Sequence, residues 1–110
     1  LGAAYAALGR PNDALGVFVK GLQAAPDSAP LHNNLANLLA RLGTGDQLEK
    51  ALHHFQEALR IDPGAVETRF NMAVLLDQMG RRDEAGRELE RVLSEAPGFE
   101  PAQRYAAGRP

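Results

Sequence analysis

The chain contains no cysteine and no tryptophan. Disulfides and thiolate metal sites are thereby excluded, and no redox compartment can be read. Serine occurs only as Ser28 and Ser94, and neither stands in a context that offers a nucleophile its base. Aromatic residues make up 5% of the sequence, so a core must be built from aliphatic residues and alanine, as where helices approach closely. There is no apolar run near the roughly 18 residues needed to cross a bilayer, and no signal-peptide pattern. Nor is there an excess of charge: a formal net charge of -2 and a pI near 5.9 give no electrostatic reason to expect nucleic acid or an anionic membrane as partner. No strand pattern leads into a glycine-rich phosphate loop.

What is present is a repeated punctuation. Ala25-Pro26-Asp27, Asp62-Pro63-Gly64 and Ala96-Pro97-Gly98 each end a helical pattern, and their prolines lie 37 and then 34 residues apart. Self-similarity at such a period is the mark of a stacked helical array. Ahead of each proline comes one apolar pattern: Ala14, Phe18, Gly21, Leu22; then Ala51, Phe55, Ala58, Leu59; then Ala85, Leu89, Val92, Leu93. Gly9, Gly43 and Gly80 close the helices before these. Three extra residues between Gly43 and Ala51 account for the longer first interval.

Each unit therefore reads as a helical hairpin. In the middle one Leu31, Leu35, Leu38, Leu39 and Leu42 point inward, leaving Asn33, Asn34, Asn37 and Arg41 for the opposite face. In the next, Met72, Ala73, Leu75, Leu76 and Met79 form the core-facing set. Glu67, Phe70, Asn71, Val74, Asp77 and Gln78 fall on the other face. Asp27-Ser28 should cap the helix that carries Pro30 in its first turn, and Asp46 with Glu49 reads as a capping box. Asp83 with Arg87 and Arg91 with Glu95 are spaced for ion pairs on a solvated helix face. Phe99 to Ala107, with Pro101 near its start and Gly108 as stop, predicts a short terminal helix.

These residues resemble the tetratricopeptide repeat. Leu35-Ala36 with Leu39, Met72-Ala73 with Leu76, and Leu1-Gly2 with Tyr5 match the large-and-small columns of that family's first helix. Departures are the insertion near 44–50, Leu89 where an aromatic is usual, and His32 and Arg69 where a large aromatic is common. The resemblance implies an all-α fold, a right-handed α-solenoid of antiparallel helix hairpins. It implies a single domain over 1–110: a partial repeat (1–28), a repeat with the insertion (29–64), a further repeat (65–98) and a capping helix (99–108). The chain opens in a mid-helix pattern without methionine, as expected of a piece of a longer protein.

The resemblance also implies that the first helix of each repeat lines a concave groove in which a peptide of another protein is held. The residues it places there are Asn33, Asn34, Asn37 and Arg41, then Phe70, Asn71 and Val74. Asn34 and Asn71 match an asparagine column that contacts peptide backbone in related arrays. A carboxamide can give and accept hydrogen bonds without demanding a particular side chain. The carboxylate clamp, another mode of the family, is disfavoured because Glu67 and Asn71 stand where cations are needed. No catalytic constellation, metal site or cofactor is expected. The histidines are His32, His53 and His54, and adjacent residues on a helix diverge by about 100°. An interaction scaffold is thus the expected function. The alternatives are a substrate-selecting or regulatory arm of a larger enzyme, and a homo-oligomer assembled through exposed terminal helices.

Overall fold

The computed structural model describes residues 11–109, with side chains from residue 14 onward. The features expected of Leu1, Gly2, Tyr5 and Gly9 lie outside the described residues. Among these residues the secondary structure is entirely helical. We number the helices α1 (Pro11–Ala24), α2 (Ala29–Leu42), α3 (Gly45–Ile61), α4 (Val66–Gln78), α5 (Arg82–Glu95) and α6 (Glu100–Gly108). The chain divides after Pro63 into two compact units.

In the first unit α2 packs on both α1 and α3. Pro11 opens α1, where a missing N–H costs nothing, and Ala14 and Phe18 turn into the core. Gly21 is small for a packing reason: a β-carbon there would lie 3.2 Å from Leu31 Cδ1, so α1 and α2 approach more closely than alanine would comfortably permit. Ser28 caps α2 as expected, its Oγ accepting from the Leu31 amide at 3.3 Å. Gly43, at φ 75°, ends the helix in the left-handed region that other residues enter at a cost.

The three-residue insertion is absorbed in a different way from the expected capping box. Thr44 is the cap residue of α3, without a side-chain cap bond, and Asp46 lies inside the first turn. The Leu48 amide bonds the Thr44 carbonyl at 2.8 Å. Helical geometry thus begins right after the α2 terminator, and the extra residues lengthen α3 to 17 residues against 14 for α1. Asp46 still sits favourably, since a carboxylate in a first turn faces the positive end of the helix dipole. On the inner side Ala51 and Ala58 flank Phe55, which is 1% exposed. From α2 come Leu35, Ala36, Leu38 and Leu39.

In the second unit α4 packs on α5, and α5 on α6. Met72, Ala73, Leu75 and Leu76 are buried as the spacing predicts, whereas Met79 is half-buried in the turn. Gly80, at φ 81°, lets the Arg81 amide reach back to the Leu76 carbonyl at 2.8 Å and close α4. Ala85, Leu89 and Val92 form the inner stripe of α5. Its outer face carries the expected Arg91 to Glu95 pair at 3.1 Å. Pro101 stands in the first turn of α6, and Ala102 is fully buried.

Candidate functional site

The face of α2 left over by its core stripe is polar. Asn34 and Arg41 are exposed, and Asn33 and Asn37 are half-buried. Asn34, Asn37 and Arg41 follow at three and four residues, a spacing that sets side chains in one row along a helix. Asn33 lies to one side of that row. Its buried Oδ1 has no hydrogen-bond partner among the described residues.

On α4 the corresponding residues have a different setting. Asn71 and Val74 are half-buried. The Phe70 ring meets Phe99 edge-on, centroids 5.7 Å apart at 77°, and Tyr105 likewise, 5.8 Å apart at 84°. Two sides of Phe70 are therefore spent on the terminal segment. Two turns further along α4, Asp77 completes the same attachment. It accepts from Tyr105 Oη at 2.7 Å and from Arg109 Nε and Nη2 at 2.8 and 2.9 Å. Arg109 also donates to the Arg82 carbonyl at 2.8 Å. The Arg109 guanidinium holds the Asp77 carboxyl below its ordinary value, with Tyr105 adding to the effect. Burial, then the bond to Asp77, pushes the Tyr105 hydroxyl up to about 12. Sequence reasoning assigns Asp77 only to an outward face, because a partner 32 residues away leaves no local pattern.

His32 and Arg69 stand where bulky aromatics are expected, and both are buried. Arg69 reaches Glu88 of α5 at 2.9 Å. His32 meets His54 of α3, Nδ1 to Nδ1 at 3.0 Å, with the rings stacked at 5.2 Å. Its Nε2 lies 2.8 Å from the Pro26 carbonyl in the turn before α2. Among the described residues no three histidine, cysteine, aspartate or glutamate side chains are placed to hold a metal ion. No helix among them is long and apolar enough to cross a membrane.

A tetratricopeptide-repeat family model matches residues 44–108. No curated protein matches the chain. Among solved structures, the chain is similar to MamA, at 26% identity and a TM-score of 0.84, covering 93% of this chain and 58% of that one. It is similar to the first TPR of Spaghetti (RPAP3), bound to the HSP90 peptide SRMEEVD, at 22% identity and a TM-score of 0.86, over 94% of this chain and 80% of that one. It is also similar to TTC0263, a thermophilic TPR protein of Thermus thermophilus, at 32% identity and a TM-score of 0.79, over 90% of this chain and 50% of that one. The chain thus spans only 58% of the length of MamA and 50% of that of TTC0263.

Proposed function

The chain belongs to the tetratricopeptide-repeat family, whose members are generally non-catalytic scaffolds for protein interaction, and we propose that it holds a peptide segment of a partner along its first-helix faces. The observation that carries this reading is the row on α2. Asn34, Asn37 and Arg41 stand on the side away from the buried leucines, with Asn34 and Arg41 open to solvent. In the second hairpin, taken by itself, Asn71 and Val74 of α4 are the corresponding residues, with the part of the Phe70 ring not turned toward Phe99 and Tyr105. An extended segment suits such a row, because its unpaired N–H and C=O groups match what carboxamides offer. The peptide complex of the Spaghetti neighbour supports the class of ligand. The acidic character of that peptide is not carried over, since Glu67 lies on the same side of α4 by helical spacing.

Replacing Asn34, Asn37 and Asn71 together by alanine tests the proposal. Alanine is the better helix former, so helicity by circular dichroism should be retained. Each lost hydrogen bond is worth about 0.5 to 1.5 kcal/mol, so binding should weaken roughly ten-fold to a thousand-fold. The measurement is calorimetric titration with a peptide identified by pull-down on the intact chain. Equal affinity for both proteins would show that the asparagines are merely solvated.

A further inference from the structure

The contact between His32 and His54 permits one arrangement of protons and resists another. The Pro26 carbonyl can only accept, so His32 Nε2 at 2.8 Å must carry a hydrogen. A neutral imidazole has one donor and one acceptor nitrogen. His32 Nδ1 is then bare, and His54 Nδ1, 3.0 Å away, must donate to it. A first proton can enter at His54 Nε2 without disturbing this bond. A second has to go to His32 Nδ1, and there two N–H groups would face each other at hydrogen-bond distance.

We propose that the His32 and His54 pair is an acid-sensitive joint of the first hairpin, able to hold one added proton in the folded state and forced apart by the second. The joint ties together three elements: the turn before α2 through Pro26, α2 through His32, and α3 through His54. The carboxylates nearest the joint are both drawn toward Arg60. On α3, His53 meets the His54 ring edge-on at 5.5 Å, a further imidazole and not an acid. Glu57 is engaged by Arg60 at 2.6 Å. Asp27, in the turn, lies 3.8 Å from the same Arg60 and is largely exposed.

The direction of the pH effect follows from linkage. Burial, with His32 and His53 close by, holds the His54 imidazole below its ordinary value, against a smaller opposing pull from Glu57. The unfolded chain therefore takes up protons before the folded one does. Stability is complete above the ordinary histidine value of about 6.5 and falls as the pH drops below it. With one proton excluded, the folding equilibrium constant should fall roughly tenfold per pH unit. Aspartates and glutamates titrate lower, so the window from about pH 6 to 5 belongs mainly to the histidines.

The test combines two measurements on the intact chain. Denaturant unfolding from about pH 7.5 to 5 should show this slope in the wild type and in His53→Asn. It should flatten to less than about threefold per unit in His54→Asn, whose carboxamide can donate to a bare His32 Nδ1 or accept from a protonated one. Nitrogen-15 spectra of the wild-type rings at the upper end of that range should show His54 as the Nδ1–H tautomer and His32 as the Nε2–H tautomer. An undiminished slope in His54→Asn, or a His54 ring protonated at Nε2 alone at that pH, overturns the proposal. Should His54→Asn fail to fold, the wild-type tautomers decide by themselves.

Discussion

Phe55 shows what a single residue contributes here. It is the one phenylalanine of the α3 pattern, and Ala51 and Ala58, four residues before it and three after, keep the backbone of the neighbouring helix close enough to enclose its ring. Phe55→Ala should therefore cost about 3 to 5 kcal/mol, a large share of what so short a chain has to lose. Urea unfolding of the two proteins measures it, and an unchanged midpoint would mean that α3 presents a different face to its core. Phe55 is legible in the sequence because helical spacing alone exposes it. For His32 and Arg69 the resemblance marks a column where large aromatics are common, but not the partners that let a polar side chain fill it. Burial of a histidine or an arginine depends on partners far along the chain, His54 and Glu88, and polar residues at core positions give no periodic signal of their own.

At the scale of elements, caps and terminators are unevenly legible, and the reason is physical. Gly43 and Gly80 adopt the positive φ that makes glycine a helix stop, a constraint contained in the residue itself. The start of α3 is misplaced by the sequence pattern because Asp46 and Glu49 satisfy a capping box equally well inside a first turn. What decides is how early the backbone can coil after Gly43, which a spacing rule does not weigh. The attachment of α6 is visible as a terminal amphipathic segment, but its fastening is hidden. The Asp77 side chain is 10% exposed and gathers both Tyr105 and Arg109. Asp77→Asn should loosen α6, leaving a neutral amide with one acceptor oxygen where the guanidinium now engages two charged ones. Hydrogen exchange should then rise roughly tenfold or more across α6, while the inner turns of α4 and α5 keep their protection. The wild type should imitate this in acid. The Asp77 carboxyl is held low in the folded state, so its contribution is present above the ordinary aspartate value of about 4 and is lost as the pH falls below it. Uniform exchange in α4, α5 and α6 of Asp77→Asn would show that the aromatic contacts alone retain the helix.

For the whole molecule, the repeat period makes the helical hairpins legible, since it reflects a unit that buries its apolar face only against its neighbours, and the large-and-small columns such as Leu35-Ala36 and Met72-Ala73 carry the family resemblance. The residues proposed to face a ligand are less legible, because a row of asparagines looks the same in sequence whether it binds or is merely wet. Their charge nevertheless makes a prediction about any peptide the protein holds. Several charges elsewhere are paired locally, as in Glu57 with Arg60, Arg81 with Glu84 and Arg91 with Glu95. Of the residues proposed to meet the peptide, Arg41 alone is charged. Raising the salt from about 0.1 M to 1 M shortens the Debye length from about 10 Å to about 3 Å, which screens an exposed ion pair almost fully. Such a pair is worth at most about 1 kcal/mol, so the dissociation constant should rise no more than about fivefold. Arg41→Gln should remove what dependence there is. A loss of about fiftyfold or more over that range would place the binding on the charged outer helices rather than on the carboxamide row, and the faces of α2 and α4 would then be the wrong surface.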